Sequence, residues 1–300
     1  MKIKIFVVFN LLLAVSCSTP DDDKIKFLTD TTIVYKTIPN IDKNLTSLDI
    51  YTLPGSDNLR PVVIWVHGGG WSIGDKLNKM DLKVPFFRDL GYVFVSVNYR
   101  LSPFPFDLTY SNRIKHPDHI IDIVDALKFV YNDIELYGGD KTNIVVLGHS
   151  AGAHLAALIG TNQTLLSNLN INPNHIKGIG SFDTQDYNIN KAIDVLSESD
   201  LYINAFTDDK TLQDDASPYI QIDNSPIITN RWLFAERGEQ ERKELLNEFI
   251  AKLESKNIST TKIDANDYTH AEVNELIGDK TNTLMSDAID NFLIECFIDN

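Results

Sequence analysis

Short, continuous runs of apolar residues alternate along this chain with longer segments in which apolar residues recur at helical spacing. Strands of this kind are predicted at 61–66, 92–97 and 143–147, and helices at 82–90, 119–131 and 151–160. A half-exposed strand alternates apolar and polar residues, so a continuous apolar run indicates a strand buried on both faces. The order of strand and helix therefore predicts an α/β fold: a mostly parallel central sheet with helices on both faces.

The second half of the chain continues this order with one interruption. Strands are predicted at 176–182 and 228–235, and helices at 242–253 and 283–297. Residues 184–215 are polar and acidic, with one weak helix near Ala192 to Leu196. A connection of this length in a compact fold is typical of a short cap or lid over a functional site.

The N-terminus has the pattern of an export signal. Lys2 and Lys4 precede an apolar run from Ile5 to Val15, which is too short to span a bilayer as a helix and suits a signal peptide. The run ends in Ala-Val-Ser-Cys at 14–17, followed by acidic residues. This resembles a bacterial lipoprotein signal, with Cys17 as the lipid attachment site, and the alternative is a plain signal peptide with an incidental cysteine.

These observations predict three parts. Residues 1–16 form a signal peptide, 17–44 a tether, and 45–300 a single catalytic domain that includes the cap. The expected location is the cell envelope or cell surface, with membrane contact through the N-terminal lipid alone.

Charge and cysteine content narrow the choice of partners. The chain has 42 acidic and 27 basic residues, a net charge of −15, which argues against nucleic acid because such a surface repels phosphates. Cys17 and Cys296 are the two cysteines, so a disulfide framework is not expected. Cys296 is predicted to be a packed small residue near the end of the last helix.

The sequence Gly148-His-Ser-Ala-Gly152 joins a predicted strand to a predicted helix. A serine held at such a sharp turn is lifted above the sheet, and the strained backbone requires residues without bulk on both sides. Its position at a helix N-terminus lets the N–H of Ala151 face a developing oxyanion. This context predicts that Ser150 is a nucleophile.

His67-Gly68-Gly69-Gly70-Trp71 directly follows the strand 61–66. A glycine run lets backbone N–H groups converge on one point, which is the arrangement that an oxyanion requires. A phosphate-binding loop would need a Lys-Ser or Lys-Thr pair at a helix start, and Trp71-Ser72 does not provide one. His67 is expected to shape the loop through hydrogen bonds.

Together these motifs carry a family resemblance. The glycine loop, Asn98-Tyr-Arg-Leu101, Tyr137-Gly-Gly-Asp140 and the stretch 148–158 resemble the hormone-sensitive-lipase-like and carboxylesterase branch of the α/β-hydrolases, and 116–158 is similar to arylformamidase-like esterases. The resemblance covers about 48–297. It implies the α/β-hydrolase fold, oxyanion donors at the N–H groups of Gly69, Gly70 and Ala151, and no cofactor.

The catalytic base and acid follow from chain order. In this fold the order is Ser, then Asp or Glu, then His, and beyond the predicted helix 151–160 only His175 and His270 follow Ser150. His175 precedes any plausible acid, so His270, in a loop after a short strand near 260–263, is the expected base.

The expected acid is Glu239. The family carries its acid a few residues after the strand that corresponds to 231–235, and Glu239 lies there, with Glu236 and Glu241 as neighbouring alternatives. Asp264, Asp267 or a Ser-His dyad are the remaining possibilities. Asp183 and Asp186 lie where the chain enters the cap, and the sequence assigns them no role.

The expected function is a serine carboxylesterase that acts through an acyl-enzyme on small or short-acyl esters, with carbohydrate-linked acyl groups among the candidates. An arylformamidase or amidase is the alternative enzyme, favoured by 116–158. A non-catalytic binding protein on the same scaffold is the third possibility, favoured by the lack of an Asp after 231–235. The sequence has no spacing of His, Cys and carboxylates typical of a metal site.

Overall fold

The computed structural model describes residues 30–53, 58–196 and 199–298. Within them the strands are β1 (Thr31–Val34), β2 (Ser47–Tyr51), β3 (Arg60–Val66), β4 (Val93–Val97), β5 (Gly139–His149), β6 (Ile176–Phe182), β7 (Arg231–Glu236) and β8 (Ser259–Asp264). The predicted signal peptide and Cys17 lie outside these residues.

The helices alternate with the strands, as expected. They are α1 (Met80–Asp89), α2 (Asp118–Asp133), α3 (Ala151–Thr161), α4 (Thr164–Ser167), α5 (Ile189–Val195), α6 (Ser199–Phe206), α7 (Lys210–Asp215), α8 (Pro218–Asn224), α9 (Gln240–Glu254), α10 (His270–Glu275) and α11 (Leu284–Ile298). In the described part of the chain, no helix is long and apolar enough to cross a membrane.

The strands form one sheet in the order β1-β2-β4-β3-β5-β6-β7-β8. β1, β2 and β4 are joined by antiparallel pairing, and every other neighbouring pair is parallel. The mostly parallel sheet predicted from the apolar runs is confirmed. Because β3 and β5 to β8 are parallel, their carboxyl ends meet at one edge, and that edge is where ligands bind in open α/β sheets.

Both faces of the central strands are buried. In β3, Val62, Ile64 and Val66 pack on one face with α2 and α3, and Val63 and Trp65 pack on the other with α1 and α11. Successive side chains along a strand point to opposite faces, so apolar residues are needed at every position when both faces pack against helices. This explains the continuous apolar run of β3. Cys296 of α11 is buried in the second layer, as predicted.

The insertion between β6 and β7 is more helical and longer than the prediction for 184–215. It contains α5 to α8 and extends to Asn224. Asn188 caps α5, since its side chain accepts a hydrogen bond from the backbone N–H of Lys191 at 3.2 Å. Pro218 begins α8, the first helical position that proline favours.

Candidate active site

Ser150 lies at the turn between β5 and α3. Its φ of 55° and ψ of −124° place a non-glycine residue in a strained conformation, which costs roughly 1–3 kcal/mol. The backbone N–H of Ser150 donates to the carbonyl of Phe182 at 2.9 Å, so the turn is fixed to the end of β6. Strain of this kind persists where the surrounding structure enforces it, and it is common at active sites.

The two flanking glycines are required by close backbone contacts. A Cβ at Gly148 would lie 2.3 Å from the carbonyl oxygen of Gly152, and a Cβ at Gly152 would lie 2.2 Å from that of Val66. Both positions therefore exclude any side chain, as the Gly-x-Ser-x-Gly pattern indicated.

The glycine loop after β3 lies beside this turn. Gly69 and Gly70 have φ values of 117° and 57°, and a Cβ at Gly68 would lie 2.8 Å from the carbonyl oxygen of His149. Among the loop hydrogen bonds of the described residues, the N–H groups of Gly69 and Gly70 have no backbone acceptor. With Ala151 at the first position of α3, these N–H groups are available to an oxyanion.

His67 supports the loop from inside the protein. Its Nδ1 lies 2.7 Å from the carbonyl oxygen of Gly68, and its ring stacks on Tyr99 at 4.5 Å between centroids. Burial lowers the pKa of His67 and keeps the ring neutral, which fits the structural role expected from the sequence.

His270 is the first residue of α10. Thr269 and Glu272 form a capping box at this helix start, with Thr269 N–H to Glu272 Oε2 at 2.7 Å and Glu272 N–H to Thr269 Oγ1 at 3.2 Å. The box fixes where the helix begins, and so fixes the backbone of His270. His175, the other candidate for the base, lies apart and stacks on Tyr131.

The carboxylate that meets His270 is Asp183, so the prediction for Glu239 is wrong. His270 Nδ1 lies 2.6 Å from Asp183 Oδ2, and the Asp183 side chain is 1% exposed. Asp183 directly follows β6, and its N–H donates to the carbonyl of Ala235 at the end of β7. Its φ of 51° is a conformation that aspartate tolerates better than most residues.

The acidic residues after β7 have other surroundings. Glu239 is exposed and precedes α9 as its N-terminal cap residue, and Glu241 is exposed in the first turn of that helix. Glu236 pairs with Lys262 at 2.9 Å. A carboxylate at a helix N-terminus is favoured by the helix dipole, so these positions have an ordinary structural explanation.

Burial alone would raise the pKa of Asp183. The hydrogen bond from His270 and the charges of Arg242 and Arg237 outweigh it, and they hold the pKa below its usual value. Asp183 is therefore ionised at neutral pH and accepts the Nδ1 hydrogen of His270. The chain order Ser, Asp, His that the fold predicts is kept.

His149 was not expected to take part in the site. Its Nε2–H donates to the carbonyl oxygen of His270 at 2.9 Å, and the two rings lie 4.5 Å apart. Burial, followed by the neighbouring His270, lowers the pKa of His149 to about 3, so its ring is neutral. His149 thus holds the backbone of His270 without competing for its proton. The variable position of Gly-x-Ser-x-Gly gave no signal for this role.

A cavity of about 340 Å³ brings the site together. Ser150, Ala151, Gly70, Asp183 and His270 line it. The hydrogen bonds of the described residues include none between Ser150 and His270, which is common before a substrate binds. The cap adds Leu201 and Tyr202 of α6, and the turn after β7 and α9 adds Arg237 and Arg242.

His149, Asp183 and His270 also place ligand atoms within 4.8 Å of one another, a spacing that a metal ion can use. In this structure, however, His149 Nε2 is bonded to a carbonyl and His270 Nδ1 to Asp183. A metal would have to displace both hydrogen bonds. The arrangement is suited to moving a proton between Ser150 and His270, with Asp183 behind the imidazole.

Comparison with known proteins gives the family. The family model described as BD-FAE matches residues 48–232. The probable carboxylic ester hydrolase LipM of Mycobacterium tuberculosis is 38% identical over 113 residues, which are 37% of this chain and 24% of that protein. Phenmedipham hydrolase of Pseudarthrobacter oxydans is 31% identical over 121 residues, 40% of this chain and 24% of that protein. The chain thus spans about a quarter of the length of these curated relatives.

Solved structures agree on the fold. Esterase 2 of Thermogutta terrifontis has a TM-score of 0.68 at 20% identity and covers 89% of this chain and 92% of its own. Esterase B of Lactobacillus rhamnosis has a TM-score of 0.60 at 18% identity, covering 78% of this chain and 73% of its own. The family model matches more than half of the chain, and the solved structures share the architecture described above. The chain therefore belongs to the BD-FAE family and has the α/β-hydrolase fold.

Proposed function

We propose that this chain is a serine-dependent carboxylic ester hydrolase that acts through an acyl-enzyme. The observation that carries the proposal is one cavity lined by Ser150, at a strained strand-to-helix turn, and by His270, which is hydrogen-bonded to the buried Asp183. Three groups in these roles are what acyl transfer requires. The relationship to carboxylic ester hydrolases supports the same reaction.

In the first step the Oγ of Ser150 attacks the ester carbonyl while His270 Nε2 accepts the hydroxyl proton. The carbonyl oxygen becomes an oxyanion, which the N–H groups of Gly69, Gly70 and Ala151 stabilise. Asp183 accepts the Nδ1 hydrogen bond and stabilises the imidazolium. His270 then gives its proton to the leaving alcohol as the acyl–oxygen bond breaks.

In the second step a water molecule attacks the acyl-enzyme. His270 accepts a proton from this water, the same N–H groups stabilise the second oxyanion, and the proton passes to Ser150 Oγ as the acid is released. Because His149 is neutral and bonded to the backbone of His270, His270 is the group of this pair that is placed to exchange protons.

The cavity supports a small substrate. Its volume of about 340 Å³ lies near the lower end of the ligand-pocket range of about 300–1,000 Å³. Gln185, Asp186 and Tyr202 give its wall an amide, a carboxylate and a hydroxyl group. These groups suit a short acyl chain on a hydroxyl-rich alcohol, so we propose carbohydrate-linked short acyl esters as one substrate class.

An organophosphorus probe tests the mechanism directly. The Thermogutta esterase described above has also been determined phosphorylated by paraoxon. We expect a fluorophosphonate to label the wild-type protein, and Ser150→Ala to abolish labelling and lower p-nitrophenyl acetate hydrolysis by roughly 10³- to 10⁶-fold. Equal labelling of the Ser150→Ala variant, with an unchanged thermal unfolding curve, would refute Ser150 as the nucleophile.

The substrate class needs a separate assay. A series of p-nitrophenyl esters from acetate to palmitate should show a steep decline with chain length. N-formyl-kynurenine, included in the same series, tests the alternative arylformamidase or amidase reaction that residues 116–158 favoured. Faster turnover of N-formyl-kynurenine than of every ester would favour that alternative.

We also propose that the protein is exported as a lipoprotein and anchored through Cys17. The support is the sequence of the first 23 residues: two lysines, a short apolar run, Ala-Val-Ser-Cys and an acidic segment. An extracytoplasmic location fits an enzyme that acts on carbohydrate-linked esters outside the cell.

A further inference from the structure

Two arginines hold the carboxylate that faces His270. Arg242 Nη2 donates to Asp183 Oδ1 at 2.8 Å, and Arg237 Nε lies 2.8 Å from Asp183 Oδ2, the same oxygen that meets His270 Nδ1. Arg237 comes from the turn after β7, and Arg242 from the first turn of α9. Asp183 thus has three partners although its side chain is 1% exposed.

A buried carboxylate is costly unless charges and hydrogen bonds compensate for the lost water. The His270 ring supplies a single hydrogen bond. The two guanidinium groups supply the opposite charge, and Arg242 also occupies the oxygen that does not face His270. Because Oδ1 is held, the carboxylate plane is fixed and Oδ2 stays directed at the imidazole.

The turn after β7 is the place where the sequence predicted the acid. In this chain the acid comes from the end of β6, and the turn after β7 contributes Arg237 to it. Phe182 and Ala235 are paired in register at the ends of these strands, so residues that follow either strand reach the same point. Arg237 follows its strand by one residue, as Asp183 follows β6.

We propose that Arg237 and Arg242 are positioning residues for the hydrolase reaction, which keep Asp183 ionised and turned toward His270. The proposal rests on the proposed function. Since Arg237 and His270 contact the same oxygen, Arg237 also opposes the positive charge that the imidazole acquires. Arg237 therefore sets the acidic limb of the pH–rate profile, and Arg242 mainly sets the orientation of the carboxylate.

Other titratable groups face the Asp183–His270 pair. His149, at the end of β5, is neutral at working pH. The Asp186 carboxylate, in the segment after β6, accepts hydrogen bonds from Tyr202 at 2.5 Å and Thr184 at 2.7 Å. Tyr187 is buried, which raises its pKa and keeps it protonated. The charge of Lys83 is the smallest of the causes that lower the pKa of His149. Among the arginine and lysine side chains of the described residues, Arg237 and Arg242 are the ones paired with Asp183.

The test compares Arg237→Gln, Arg242→Gln and Arg237→Lys with the wild-type protein on p-nitrophenyl acetate between pH 5 and 9. We expect kcat to fall by roughly 10²-fold in both glutamine variants, with KM nearly unchanged. The acidic limb should move to higher pH by about one unit in Arg237→Gln, because loss of a positive charge makes protonation of the pair easier. Arg237→Lys should return the acidic limb to its wild-type pH, since lysine keeps the positive charge.

Arg231→Gln is the matched control, with the same change of side chain at the start of β7, where Arg231 pairs with Glu295. Its kcat and pH profile should equal those of the wild type. The contrary result is a rise in KM for an anionic ester, with kcat for the neutral ester and the pH limb unchanged. That result would make the arginines substrate-binding residues and overturn the proposal.

A readout independent of turnover is the NMR signal of the His270 Nδ1 proton, which the 2.6 Å contact with Asp183 is expected to move far downfield. The signal should be present in the wild type, absent in Asp183→Asn, and shifted or broadened in both arginine variants. An unchanged signal in both variants overturns the positioning role. If the wild type hydrolyses no ester, the proposed function fails, and this signal still decides whether the arginines position Asp183.

Discussion

At the scale of single residues, the site depends on which carboxylate meets His270. Ser150 and His270 were identified from local patterns and chain order, and the structure brings both to one cavity. Asp183 was passed over because its role depends on the pairing of β6 with β7, which a single sequence does not display. A usable signal was present: an aspartate directly follows a buried strand, at the same edge as the Gly-x-Ser-x-Gly turn.

The acid is tested by a pair of conservative substitutions. Asp183→Asn keeps the side-chain shape and removes the charge that stabilises the imidazolium, so kcat should fall by up to about 10⁴-fold with KM nearly unchanged. Glu239→Gln makes the equivalent change at an exposed position and should leave kcat within about twofold.

Steady-state kinetics on p-nitrophenyl acetate decide between the two carboxylates, and circular dichroism checks that each variant is folded. A large loss in Glu239→Gln beside a normal Asp183→Asn would return the acid to the position that the sequence favoured. The same pair of variants bears on the non-catalytic alternative, since the missing acid was the feature that favoured it.

At the scale of elements, helix α1 supports the helix that begins at His270. Lys83 of α1 is fully buried, and its Nζ donates to the carbonyl of Asn274 in α10 at 2.7 Å and to that of Lys79 at 3.0 Å. Its Nζ also lies 5.0 Å from the centroid of the Trp65 ring. Burial lowers the pKa of Lys83 to about 7, far below its usual 10.5.

This depressed pKa predicts a pH-dependent stability. Between about pH 7 and pH 10.5 the unfolded chain holds a proton on Lys83 that the folded protein has released, so the folded state gains stability as pH rises through this range. Relative to Lys83→Met, the wild-type free energy of unfolding should increase by up to about 1.4 kcal/mol per pH unit. The penalty for the buried charge is complete below about pH 7.

Urea unfolding of both proteins at pH 6.5, 8 and 9 measures this difference. Subtracting the free energy of unfolding of Lys83→Met from that of the wild type cancels the contributions of the titrating groups that the two proteins share. A difference between the two proteins that does not vary with pH would show that Lys83 keeps its proton in the folded state.

The elements themselves were predicted unevenly, for a physical reason. The buried strands and long helices follow from periodicity and were found within a few residues of their ends. The helices of the cap depend on distant contacts: Arg113 donates to the carbonyls of Ile203 and Asn204 at the end of α6, and His116 pairs with Asp215 at the end of α7. Short helices that are stabilised by such contacts have little local signal.

At the scale of the whole molecule, the proposed lipid anchor predicts that membrane location can be lost while catalytic activity is kept. Replacing Cys17 with Ser removes the thiol that lipidation requires and leaves the catalytic domain unchanged. We therefore expect the Cys17→Ser variant to leave the membrane fraction while its specific activity stays equal to that of the wild type.

Cell fractionation with and without detergent, followed by the p-nitrophenyl acetate assay on each fraction, measures both quantities. Cys296→Ser is the control, because that cysteine is buried in α11 and unavailable to a lipid. If the Cys17→Ser variant stayed in the membrane fraction and only detergent released it, this anchor would be ruled out.

The pairing of β6 with β7 affects how related sequences are classified as active or inactive enzymes. Phe182 and Ala235 lie side by side, so the ends of two strands offer the same place to an acidic side chain. Moving the acid from one of these strands to the other is therefore expected to need few substitutions. A survey that requires an acidic residue after the seventh strand would then discard working enzymes as inactive copies. Asking instead for an acid at the end of either strand would retain them.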